Sequence, residues 1–133
     1  MEGWQSAGPH RYKVEADHIR WESSGAVQPE QAHVFARLLL RVSTEFGHAY
    51  ALVDGRKMLP LPAESRRVYL DYLRNSAPRF ALAIFGAPLH IRVAGMLVLH
   101  AARLMSLPDL DVCYTATESE AQQYLNSRRP PPS

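Results

Sequence analysis

The sequence predicts a single α/β domain with a mixed, mostly parallel sheet. Two observations carry this. Short apolar segments at Ala49–Val53, Phe80–Gly86 and Val112–Thr115 alternate with longer stretches of helical periodicity. Ahead of them, two segments with period-two patterning form a hairpin, and a helical segment ends the chain.

In chain order, residues 1–9 hold Gly3, Gly8 and Pro9 and are expected to form a flexible arm. In His10–Ala16, Tyr12, Val14 and Ala16 alternate with Arg11, Lys13 and Glu15. Ile19 and Trp21 alternate likewise with His18, Arg20 and Glu22, and Asp17 suits the turn between them. Pro29 fits the first turn of a helix whose core stripe is Phe35, Leu38, Leu39, Val42 and Phe46, with Gly47 as its terminator. The strand Ala49–Val53 is expected to end at Asp54. A helix over about 62–75 buries Val68, Tyr69, Tyr72 and Leu73. After the strand 80–86 comes a long apolar helix, 88–105. Following strand 112–115, Thr117 and Glu120 form a capping box for the last helix, docked through Ala121, Tyr124 and Leu125. The domain spans 10–126, and the Pro-rich tail 127–133 is expected to be disordered.

At 133 residues with 47% apolar and 21% charged content, the chain has the balance of one globular domain. Net charge is only +2, so general polyanion binding does not follow, although residues 56–103 hold eight basic and two acidic residues. The arginines of that region are not interleaved with stacking aromatics, so nucleic acid is not expected as a partner. A lone Cys113 excludes an internal disulfide and fits a reducing, cytoplasmic setting. Its apolar strand marks an inert thiol. The first residues lack a signal-peptide layout, and the most apolar run is interrupted by Arg92, His100 and Arg103.

Catalytic patterns are missing. There is no Gly-rich phosphate loop and no Gly-x-Ser-x-Gly elbow. The six histidines show no metal-ligand spacing, so neither metal nor cofactor is expected. Asp54 sits where a receiver domain carries its phosphoacceptor. However, the acidic pair of the first strand and the late lysine that such chemistry needs are lacking. No nucleophile lies at recognisable spacing from a base, and the reading is that of a non-enzyme.

The helix 88–105 stands out. At 100° per residue, Arg92, Met96, Leu99 and Arg103 fall within roughly 60° of one another. If the arginines mark the solvent side, Met96 and Leu99 lie exposed between them. An apolar patch rimmed by arginine suits a protein partner, self-association or an anionic membrane surface.

The element order resembles the STAS / SpoIIAA-like superfamily, and is most similar to its small stand-alone STAS/SEC14-like bacterial proteins. The resemblance rests on Leu52-Val53-Asp54, the helix start Pro62-Ala63-Glu64-Ser65-Arg66-Arg67, the strand Ala81-Leu82-Ala83-Ile84-Phe85-Gly86 and the ending Ala116 to Leu125, and covers 10–126. It implies a four- or five-stranded mixed sheet flanked by four helices, and a regulatory module that is not an enzyme. The anti-anti-sigma branch binds a kinase-like partner and is switched by phosphorylation of a serine after the third strand, in an Asp-Ser pair. This chain has Pro62-Ala63 there, which leaves Ser65 as the candidate phosphosite. The SEC14-like branch implies an apolar ligand or membrane contact, with helix 88–105 moving as a lid. The expected contact surface is Arg92, Met96, Leu99 and Arg103, joined by Arg56 and Lys57.

Overall fold

The computed structural model describes residues 3–76, 78–104 and 111–129. Six strands form one sheet in chain order: β1 (Gln5–Ala7), β2 (His10–Glu15), β3 (His18–Gly25), β4 (Ala49–Met58), β5 (Phe80–Phe85) and β6 (Asp111–Thr115). The first three pair antiparallel, and β3 to β6 run parallel. Helices α1 (Pro29–Phe46), α2 (Ala63–Ser76) and α3 (Leu89–Leu104) are the crossovers, and α4 (Glu118–Arg128) is the last described element. The expected α/β architecture with four helices is present, with six strands rather than four or five.

Three crossovers stepping the same way across a sheet put their helices on one face when each has the same hand. Side-chain alternation along β4 shows the consequence. Ala49, Ala51 and Val53 join Ile19, Trp21, Phe35, Leu38, Leu39 and Ile91 in the larger core. Tyr50 and Leu52 point the other way and join Ala81, Ala83, Phe85, Ala121 and Leu125 beneath α4. Central strands buried on both faces are therefore continuously apolar, as the sequence suggested.

Three boundaries differ from the sequence reading. Gln5–Ala7 is an edge strand rather than part of a loose arm, because its backbone finds partners on β2, Gln5 opposite Tyr12 and Ala7 opposite His10. Strand β4 continues past Asp54 to Met58. There Gly55 lies flat against Ile84 and Ala87, and a register shift on β3 carries the pairing on to Ser24–Lys57. Helix α4 runs on to Arg128, three residues past Leu125, so the expected tail begins inside a helix. Residues 130–133, and Met105 at the expected end of helix 88–105, lie outside the described residues.

The expected caps are in place. Gly47 closes α1 at φ 84°, a left-handed conformation that glycine adopts at little cost. The Glu120 N–H donates to Thr117 Oγ1 at 3.2 Å, and the Thr117 N–H donates to Glu120 Oε1 at 3.1 Å.

His10 is buried in the hairpin. Its Nδ1 accepts from the Ser24 N–H at 2.9 Å, which leaves Nε2 to donate to the Ala26 carbonyl at 3.2 Å. This arrangement requires the neutral ring, and burial pulls its pKa below the ordinary 6.5. The unfolded chain then binds the proton more readily than the fold does. The contribution of His10 is thus complete above pH about 6.5 and is lost as pH falls toward its lowered folded value. His18 shifts the same way, mainly through burial. Urea unfolding at pH 7.5 and 5.0 should show His10→Phe losing less stability on acidification than the parent. An equal loss in both proteins would remove His10 as a source of the acid sensitivity.

Candidate interaction surface and apolar cavity

Helix α3 has two apolar sides. At 100° per residue, Leu89, Val93, Met96, Leu97 and Leu104 occupy one arc of about 100°. All five are more than half exposed, from 51% at Val93 to 74% at Leu104. Ile91, Ala94, Gly95, Val98, Leu99 and Ala102 lie on the opposite arc, toward the sheet. Only Ile91 and Ala102 are fully buried. α1 packs closely on α2 and α4 on the sheet, whereas α3 makes few close backbone approaches to any element.

The space left beneath α3 is a cavity of about 280 Å³. Its floor is Trp21, Val53, Leu82, Ile84 and Tyr114 on the sheet, and α1 and α2 add Phe35, Leu39 and Tyr69. Polar groups are few. Arg66 lies on the lining, with Nη1 donating to the Leu61 carbonyl at 2.9 Å. Burial pushes the Tyr69 phenol far above its ordinary range, and the Tyr114 phenol upward as well, so both stay protonated. A Cβ at position 95 would overlap the Tyr114 hydroxyl, so Gly95 is what lets that hydroxyl approach the helix.

The sequence-predicted surface divides. Met96 is exposed as expected, at 63%, and Arg103 is also exposed. Leu99 is not part of that surface: it is half-buried and lines the cavity. Arg92 is half-buried, with its Nε enclosed and without a partner among the described residues. The arginines mark the border of the exposed face rather than its centre, because a long arginine stem can reach water from a flanking position. Arg103 follows Arg92 by eleven positions, about 16 Å along the helix axis.

Arg56 and Lys57 are exposed at the far end of β4. Arg56 is already engaged. Its Nε and Nη2 fork onto the Asp54 carboxylate at 3.0 and 2.7 Å, and this hydrogen bonding holds the Asp54 pKa below the usual carboxylate range. Ser65 is fully buried, and its hydroxyl donates to the Val27 carbonyl at 2.6 Å, tying α2 to the loop before α1. A kinase cannot reach it in this fold, so the phosphosite reading is corrected. Cys113 is half-buried, and burial raises its thiol pKa, which disfavours the reactive thiolate.

Among the described residues no three His, Cys, Asp or Glu side chains form a group that could hold a metal ion. No helix among them is long and apolar enough to cross a membrane.

No protein-family model matches the chain, and no curated protein matches it in sequence. Solved structures do match. The crystal structure of a candidate anti-sigma factor antagonist from Thermotoga maritima superposes with TM-score 0.54 at 17% identity, over 86% of this chain and 92% of that one. The NMR structure of the same protein gives TM-score 0.56 at 18% identity, over 89% and 88%. A protein of the DUF3478 family from Shewanella loihica, described as having a SpoIIAA-like fold, gives 0.50 at 18% identity, over 94% and 92%. This chain has the SpoIIAA-like fold.

Proposed function

We propose that the chain is a non-catalytic, cytoplasmic regulatory module of STAS type that works by binding a protein partner through the outer face of α3. The observation that carries this is the row Leu89, Val93, Met96, Leu97 and Leu104, five large apolar side chains held in water by one helix. The likeness to a candidate anti-sigma factor antagonist, whose designation names a protein target, agrees with it. Charge points to the kind of partner. α3 carries Arg92, Arg103, His90 and His100 and no acidic residue. Pairing with a second copy brings like charges together, so an apolar surface with an acidic rim fits better.

The test compares the parent chain with a Met96→Asp, Leu97→Asp double variant and with Arg103→Glu, in affinity capture and in light scattering. Both variants should lose at least tenfold in affinity for a protein that the parent retains, with unfolding midpoints close to the parent's. Capture unchanged by either variant rules this face out. A parent dimer dispersed by the double variant assigns the face to self-association instead. Binding to anionic vesicles without any protein partner assigns it to a membrane surface.

A further inference from the structure

We propose that His18 is an acid-sensitive latch: while its ring is neutral, Arg129 fastens the end of α4 to the turn between β2 and β3, and a proton on the ring opens that contact. The inference concerns α4 and the hairpin, and does not rest on the partner face of α3.

The end of α4 is fastened at one spot. Ala16 and Asp17 form the turn between β2 and β3, where Glu15 pairs with His18. The Asp17 carboxylate receives both arms of Arg129 at 2.9 and 3.0 Å, and the Asp17 carbonyl accepts from the Tyr50 N–H at 2.8 Å. Arg129 is the C-cap of α4, and its guanidinium lies 4.4 Å over the Tyr50 ring. The Tyr50 hydroxyl donates to the Arg128 carbonyl at 3.4 Å. Ala16 sits at φ 53°, a left-handed conformation unfavourable for a residue with a Cβ, so the turn relies on outside contacts to keep its form.

His18 lies against this fastening, as the cross-strand partner of Tyr50. Its Nε2 is enclosed and has no hydrogen-bond partner among the described residues. A neutral ring tolerates such a place, whereas an imidazolium needs an acceptor or water for its second N–H. The groups facing it are Glu15 from β2, Asp17 from the turn, Arg20 from β3, Tyr50 from β4 and Arg129 from the end of α4. Lys13 is paired with Glu15, and the His48 ring stacks on Tyr50 at 4.6 Å. A proton on His18 therefore sets a second cation beside Arg129 and offers Asp17 a competing partner. The fork is partly in water, which keeps it weak enough for one charge to displace.

The sign follows from linkage. Burial, then Arg129 and Arg20, hold the His18 pKa below 6.5 in the closed form, and opening returns the ring toward its ordinary value. Closure is complete above pH about 6.5 and is lost as pH falls toward the lowered value. Ala121 and Leu125 stay fully buried beneath α4, so opening is confined to its last turn.

Amide hydrogen exchange of the full chain at pH 7.5 and 5.5, corrected for the intrinsic effect of pH, tests the latch. Protection of the last turn of α4 should fall roughly tenfold on acidification in the parent and stay unchanged in His18→Gln. If circular dichroism shows that variant unfolded, His18→Asn takes its place with the same expectation. Arg129→Gln should leave the turn weakly protected at both pH values. Coupling is reciprocal, so the His18 ring followed by proton NMR should titrate at higher pH in Arg129→Gln than in the parent. An equal loss of protection in parent and His18→Gln overturns the latch, as does an Arg129→Gln midpoint no higher than the parent's. A loss shared by the amides of α1 reports general acid unfolding and overturns it too.

Discussion

Replacing Trp21 by alanine should cost about 3–5 kcal/mol, a large share of the 5–15 kcal/mol typical of a domain. The side chain is 3% exposed, in the middle of the larger core. Its ring stacks on Tyr12 at 5.6 Å between centroids and on His10 at 5.7 Å, and meets Phe35 of α1 tilted at 4.7 Å. Four rings from β2, β3 and α1 thus share one contact, so the substitution removes both buried area and the joint between hairpin and helix. The void also merges with the cavity next to it. Because α3 is loosely held, partial collapse there would bring the loss toward the lower end of the range. Urea unfolding followed by circular dichroism at 222 nm measures it without relying on the missing fluorophore. Trp4→Ala, at an exposed site, should stay within about 0.5 kcal/mol. A Trp21→Ala loss below about 1 kcal/mol would place the joint elsewhere.

Fold class was readable in the sequence because its signals are local. Alternation in the hairpin, continuous apolar runs in β4 and β5, Gly47 and the Thr117–Glu120 box each act within a few residues. The misses came from places where local pattern does not fix orientation. Gln5–Ala7 has little apolar content and is a strand only because β2 offers a free edge. Ser65 is polar, yet it is buried by a long-range hydrogen bond to Val27 that no spacing rule encodes. α3 is the clearest case. A helix apolar all round has no single preferred face, and the arginines, taken as the solvent side, lie at its border. The spacing therefore points Leu99 outward, whereas the fold turns Leu99 inward and exposes Leu89, Val93, Leu97 and Leu104 beside Met96 as a row. The moment of a helix cannot reveal the cavity under it, since that depends on how far the helix stands from the sheet.

Shortening Leu125 to alanine should destabilise the fold by about 2–5 kcal/mol, and Arg129→Ala by less than about 1.5 kcal/mol, although Arg129 makes the more conspicuous contacts. Arg129 forks onto Asp17 at 2.9 and 3.0 Å and lies over the Tyr50 ring at 4.4 Å. Both partners of that ion pair remain partly in water, at 36% and 27% exposure, so solvent screens most of the attraction. Leu125 is completely buried with Ala121 against Tyr50, Leu52, Ala81, Ala83 and Phe85, where a lost side chain leaves a void that fixed strands cannot close. Denaturation at low salt and in 1 M NaCl separates the two effects: the Arg129 loss should shrink with salt and the Leu125 loss should not. An Arg129 loss exceeding that of Leu125 would show that α4 is held by its charges. With α4 fixed by packing, the second face of β4 and β5 is closed. The longest row of exposed apolar side chains among the described residues then lies on the outside of α3, the proposed partner face.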